Sequence, residues 1–130
     1  KEAVDLWFRD QIHAESLHGT IGTWDTSCVD NMSCLFSGKA SLKAKSFNED
    51  IGRWDTSQVT NMKEMFYGAA NFDQDIGRWN TGQVRDMSHM FAGATSFDKD
   101  ISRWNTSQVW NMVQMFTNAA AFNQDSGRCM

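Results

Sequence analysis

The chain has 130 residues, 41% hydrophobic and 12% aromatic, with a formal net charge of −4 and a pI near 5.2. That length suffices for one domain with a buried core, and the composition is too apolar for a disordered segment. The acidic balance argues against a nucleic-acid partner and against an acidic membrane surface, and no apolar run approaches the roughly 18 residues of a membrane span.

In chain order, residues 1–20 read as an N-terminal capping element. KEAVDLWFRDQIHAESL sets Val4, Trp7, Phe8 and Ile12 along one face of an amphipathic helix, with charges opposite. No charged-then-apolar leader opens the sequence, so no signal peptide is expected in it. Proline is absent and there are nine glycines, a composition suited to tight Gly and Asn/Asp turns. Cys28, Cys34 and Cys129 are too few and too irregular for a disulfide framework or a zinc site. Cys28 and Cys34 lie six apart and can bridge under oxidising conditions. Equivalent positions of other repeats hold Gln, Glu or His, which marks both as exposed.

From residue 21 a repeat takes over. FNEDIGRWDTSQV from Phe47, FDQDIGRWNTGQV from Phe72 and FDKDISRWNTSQV from Phe97 are near copies. Trp54, Trp79 and Trp104 are 25 apart, and Trp24 stands 30 before Trp54; the extra five residues lie in GKASLKAKSF. Four coils over 21–130 are expected, started by Trp24, Trp54, Trp79 and Trp104, followed by a degraded fifth start with Cys129 in the tryptophan position. A 25-residue period with fixed apolar positions predicts a solenoid whose units bury their cores by stacking.

Within a unit, Val59, Met62, Met65, Phe66 and Ala69 fall on one side of a helical wheel, as do Val84, Met87, Met90, Phe91 and Ala94. Asn31, Asn61, Asp86 and Asn111 stand where N-caps belong, and Glu64 completes a box-like cap with Asn61. Gly38, Gly68, Gly93 and Asn118 suit left-handed helix ends. A short helix per unit is therefore expected, and a short parallel strand around Asp75-Ile76. The expected fold is an α/β leucine-rich-repeat-like solenoid, helical side convex, with an N-terminal capping helix. Its core ladder would be Trp24, Trp54, Trp79, Trp104, Ile51, Ile76, Ile101, Phe66, Phe91 and Phe116. At the far end, FNQDSGRCM places Ser126 and Cys129 where Ile and Trp are due. Either an ordered fragment stops there or a partner covers the 122–130 edge, since an open strand edge invites aggregation.

WDTSQVTNMKEMFYGAANFDQDIGRW resembles the tandem repeat of the BspA-like leucine-rich-repeat surface proteins, and AVDLWFRDQ with HGTIGTWDTS resembles the segment that often introduces such arrays. The likeness covers almost the whole chain. It implies a non-enzymatic repeat module, secreted or at the cell surface, used for adhesion or protein binding; without it, an intracellular or organellar assembly is the other setting. It brings no catalytic residue and no cofactor. The 30-residue first coil and the degraded last one depart from its pattern.

Several columns invite chemistry. Asp50, Asp75, Asp100 and Asp125 stack one per coil and would repel, which a calcium ion would relieve. One column offers few of the six to eight oxygens calcium takes, and the parallel Arg53, Arg78, Arg103 and Arg128 favour a charge ladder. Thr26, Thr56, Thr81 and Thr106 suit turn and cap bonding better than the broad flat face an ice surface requires. The tryptophan ladder fits a packed core better than a sugar groove. Trp110 replaces Thr60 and Arg85 off the core, and exposed tryptophan anchors interfaces; Trp110 and Trp7 are the interaction candidates. His13, His18 and His89 share no repeat position, and no nucleophile motif accompanies them, so an enzyme is not expected. Asn31 and Asn105 fit the glycosylation acceptor pattern but already suit cap or turn roles. The expected function is a non-catalytic scaffold that binds a protein of unspecified identity, as a surface or adhesion module. The alternative is an accessory structural subunit packed in a larger assembly, and a calcium-stabilised or glycan-binding array is weaker.

Overall fold

The computed structural model describes residues 1–124. The N-terminal stretch forms two helices where one was expected, α1 at Glu2–Arg9 and α2 at Gln11–His18. They part at Asp10 (φ −154°, ψ 87°), whose side chain accepts the His13 N–H at 3.1 Å and so caps α2. The break buries Val4, Trp7 and Phe8 but turns Ile12 outward, 84% exposed. Phe8 meets Phe36 and Phe47 edge to face, and Trp7 meets Phe47, so α1 lies against the first repeat.

The repeats do not form the expected α/β leucine-rich-repeat solenoid. Among the described residues the α-helices are α1 and α2; 3₁₀ turns follow at Ile21–Thr23 and Leu42–Ser46, and no repeat contains an α-helix. Among the described residues there is no sheet either; isolated parallel bridges link Asn31 with Asn61, Asn61 with Asp86 and Asp86 with Asn111. The cause is local. Glu64 has φ 55°, and its counterparts Cys34, His89 and Gln114 have φ 59°, 55° and 53°. A right-handed helix cannot pass through a left-handed residue. The chain instead makes tight turns: Met65 N–H donates to Met62 O, Tyr67 to Glu64, Ala69 to Phe66 and Phe72 to Ala69. Returning to the interior every third residue, these turns bury the same side chains a helix would.

The same segment joins the repeats. Met62, Glu64, Phe66 and Gly68 N–H donate to the carbonyls of Asp86, Ser88, Met90 and Ala92 at 2.7–2.9 Å. Met32, Cys34, Phe36 and Gly38 donate likewise to Asn61, Lys63, Met65 and Tyr67, and Met87, His89, Phe91 and Gly93 to Asn111, Val113, Met115 and Thr117. Residues alternating between right- and left-handed conformations turn their N–H groups to one side, so this ladder runs one way, each repeat donating to the next. A return bond runs the other way at one position, Thr60 to Asp30, Arg85 to Thr60 and Trp110 to Arg85. The expected strand is a turn: Trp79 N–H donates to Ile76 O, and the Asp75 carboxylate accepts the Gly77 N–H.

Side chains stack with the backbone. Phe36, Phe66, Phe91 and Phe116 form one column with ring centroids 5.5–5.6 Å apart. Phe47, Phe72, Phe97 and Phe122 form a second at 5.9–6.0 Å, and within each repeat the two rings lie 4.1–4.3 Å apart. Ile51, Ile76 and Ile101 are buried beside Trp54, Trp79 and Trp104. Where the repeats come closest, Gly52 and Gly77 leave room for the carbonyls of Asp75 and Asp100; a Cβ there would lie 2.5 and 2.6 Å from those oxygens. Gly22 stands in the same relation to Asp50. Among the described residues no helix is long and apolar enough to cross a membrane.

Candidate interaction surface

Most polar columns are committed to the repeat's own hydrogen bonds. Thr26, Thr56 and Thr81 are buried, and their Oγ1 atoms donate to the carbonyls of Asp55, Asn80 and Asn105 at 2.9–3.0 Å. Asp50, Asp75 and Asp100 each accept the N–H two residues on, at Gly52, Gly77 and Ser102; Asp125, like Arg128 and Cys129, lies outside the described residues. Among the described residues no three His, Cys, Asp or Glu side chains gather to hold a metal ion. The ion pairs found there are Lys39 with Glu64 at 3.5 Å and Lys99 with Asp73 at 3.7 Å, not the expected alternation of arginine and aspartate columns.

A further column works between repeats. Asn48, Asp73 and Asp98 accept the backbone N–H groups of Asp73, Asp98 and Asn123 at 2.9–3.0 Å. Bonds from the Asn123 N–H and the Gln124 amide hold the Asp98 carboxyl below the usual aspartate range. Asp25 and Asp55 are lowered in the same sense by Ser27 and Ser57, and Asp100 by Ser102, with a lesser pull from Arg103. Asn31 and Asn105 each accept the N–H two residues on. Cys28 and Cys34 are free thiols rather than a disulfide. Burial, then the charge of Glu64 at 3.6 Å, raises the Cys34 pKa.

The expected core ladder is inside, with graded ends. Trp54, Trp79, Trp104, Phe66, Phe91, Ile51, Ile76 and Ile101 are buried, whereas Trp24 and Phe116 are partly so. The two interaction candidates separate. Trp7 is buried, packed on Phe8 and Phe47, and its Nε1 finds no partner among the described residues. Trp110 is 74% exposed, in one column with Asp30, Thr60 and Arg85. Val113, three residues on, is 59% exposed. The last described repeat is the least enclosed: Val84, Met87, Phe91 and Phe97 are fully buried, but Val109, Met112, Phe116 and Phe122 only partly.

This end has a backbone feature that sequence reasoning missed. The N–H groups of Met112, Gln114, Phe116 and Asn118 occupy the donor positions of the ladder, and among the described residues they have no acceptor. The left-handed residue that aims them is Gln114 in this repeat and Cys, Glu or His in the others. Of these only His is enriched at positive φ, and one His among four repeats is too weak a signal to read from the sequence. The 122–130 edge expected as a docking site falls largely outside the described residues.

A family model described as "Mycoplasma protein of unknown function, DUF285" matches residues 39–129. No curated protein and no solved structure matches the chain. The matched span takes in most of the 25-residue repeats, and on that match the chain belongs to the DUF285 family.

Proposed function

We propose that the chain is a non-catalytic repeat module that recognises another protein, displayed outside the cell in the manner of the BspA-like surface proteins whose repeat it resembles. The observation that carries this is Trp110, 74% exposed on a molecule whose repeat tryptophans Trp54, Trp79 and Trp104 are packed inside. A large exposed indole is a residue type enriched at interface anchors. The reading is also supported by how the polar columns are used: the threonines, asparagines and aspartates of the repeat serve turns and inter-repeat bonds.

A second reading, a subunit packed permanently in a larger assembly, draws on the half-covered Met112 and Phe116, core positions that a fixed neighbour would bury. One experiment addresses both. A photo-reactive phenylalanine placed at position 110 is cross-linked in the native source, and Trp110→Ala serves as the competitor control. Recognition predicts one dominant cross-linked protein, and loss of its capture by Trp110→Ala while the fold is unchanged, the substitution altering stability by no more than about 0.5 kcal/mol. A stoichiometric complex that survives high salt favours the permanent subunit. No cross-link at 110 removes both.

A further inference from the structure

We infer that the cleft between α1 and the Leu42–Ser46 turn docks an acidic segment of another protein, one that carries apolar side chains beside its carboxylates. This surface is separate from the one at Trp110, and the inference goes beyond that reading and stands without it.

The two parts of the chain that depart from the 25-residue pattern meet here. α1 docks on the first repeat through Trp7 and Phe8, which meet Phe47 edge to face. The extra corner residues of that repeat fold into the 3₁₀ turn, with Ala44 fully buried and its N–H on the Ser41 carbonyl. The Asn71 N–H holds the Lys45 carbonyl at 3.1 Å and ties the turn to the second repeat. Between helix and turn runs a cleft of about 300 Å³ lined by Trp7, Phe8, Arg9, Gln11, Lys43 and Ser46. It opens into a wider one of about 630 Å³ that shares Phe8, Arg9 and Lys43. The walls of the narrow part come from residues 7–11 and 43–46, which have described chain on both sides.

The charge of this cleft is opposite to that of the molecule. The chain carries a net −4, yet the narrow part is lined by two cations, Arg9 and Lys43, and by no carboxylate. Among the described residues neither cation is in an ion pair. Acids close by in sequence are engaged or offset: Asp10 accepts the His13 N–H, Glu15 accepts the Gln11 amide, and Asp5 lines the wider part together with Lys1. A guanidinium and an ammonium lining one cleft favour a carboxylate. Phe8 in the shared wall and Leu42, 78% exposed in the lining of the wider part, favour an apolar side chain next to it. A long polyanion fits less well, because beyond the two cations it would meet an acidic molecule.

The test uses the whole chain and a fluorescein-labelled synthetic peptide that alternates Asp with Leu. Its controls are the same peptide with Asn in place of Asp, and with Ser in place of Leu. Fluorescence anisotropy should show saturable binding that weakens as salt rises and is several-fold tighter than for either control. Arg9→Ala combined with Lys43→Ala should weaken it by about fivefold or more, whereas Lys63→Ala, on the second repeat, should not. All three side chains are exposed, and circular dichroism checks the fold. Should the double variant misfold, amide shifts at Arg9, Leu42 and Lys43 on titrating the unaltered chain decide the matter. Lack of saturable binding, equal affinity for the Asn peptide, or shifts confined to other residues overturns the inference. Tighter binding to anionic phospholipid vesicles than to the peptide also overturns it and assigns the cleft to a membrane surface. Cross-linking at position 110 is a separate readout, so either reading can fail while the other stands.

Discussion

The indole Nε1 of Trp79 donates to the carbonyl of Ile51 at 3.1 Å, and Trp104 makes the same bond to Ile76 at 3.0 Å. Each repeat thus reaches back to the isoleucine of the one before it, while that carbonyl also accepts the N–H of its own repeat's tryptophan. Trp79→Ala removes a side chain that is only 3% exposed and should cost roughly 3–5 kcal/mol, as other large-to-small core substitutions do. Trp79→Phe keeps an aromatic ring and gives up the Ile51 bond, worth about 1 kcal/mol. Urea titration followed by circular dichroism separates the two; an unchanged midpoint for Trp79→Ala would place the indole outside the core.

The glycine corner gives a second prediction. A Cβ at Gly77 would stand 2.6 Å from the Asp100 carbonyl, whereas one at Gly82 would meet the Asn80 side chain at 3.2 Å. Gly77→Ala should therefore force the repeats apart and cost about 1–3 kcal/mol, with Gly82→Ala much milder. Equal melting temperatures for the two variants would contradict the close approach.

The left-handed residue can be tested at Gln114, which is exposed and has φ 53°. Both Gln114→Gly and Gln114→Val lose its bond to the His89 Nε2 atom, so that loss cancels between them. Glycine accepts the conformation and valine does not, so the valine variant should be less stable by about 1–2 kcal/mol. Thermal denaturation of the pair decides it; equal stability would mean that the turn can take another backbone conformation.

Acid should loosen the stack in a defined window. The Asp25, Asp55, Asp98 and Asp100 carboxyls are all held below the usual aspartate range in the folded chain by bonds they accept. A depressed folded value means a contribution that is complete above the unfolded value, about 3.9, and is lost as pH falls through the folded one. Stability should thus be flat in these groups near neutrality and decline below about pH 4. Asn48 does the work of Asp98 at the start of the same column without a charge, accepting the Asp73 N–H at 2.9 Å. Asp98→Asn should consequently keep its stability at pH 7 and show a shallower decline in acid, measured by urea midpoints across pH. A steeper decline would assign the bond a different role.

Much of the interior was legible in the residues. The tryptophan spacing located the repeat, and the buried set Val59, Met62, Met65, Phe66 and Ala69 is the one the pattern selected. The secondary structure was misread because spacings of three and four suit a helix wheel and a run of three-residue turns equally well. What separates them is the sign of φ at Cys34, Glu64, His89 and Gln114, and these side chains do not disclose it. Asn61 and Asp86 do each accept the N–H two residues on, but they start a turn rather than cap a helix, and Glu64 meets Lys39 and Cys34 instead of closing a cap box. At the candidate surface, Trp110 stood out because Thr60 and Arg85 share its position. Trp7 shares the apolar face of α1 with Val4 and Phe8 and is buried on Phe47 with them, so it is not a surface contact; the kink at Asp10, which leaves no periodic trace, is what turns Ile12 outward.

The five extra residues between Gly38 and Phe47 have a consequence for how this molecule can be altered. They are taken up by the Leu42–Ser46 turn, with Ala44 tucked in and Leu42 left 78% exposed. On either side the register is intact, since Phe36 stacks on Phe66 at 5.6 Å and Phe47 on Phe72 at 5.9 Å. The ladder, not the length of the connecting corner, holds the repeats in step, and doubling a flexible connection costs only about 0.6 kcal/mol. The corner is a natural graft point: a foreign loop spliced between Lys39 and Ser46 would be carried on the outside of an unchanged stack, and the shorter corners at Gly68 and Gly93 are the places to add a second or a third.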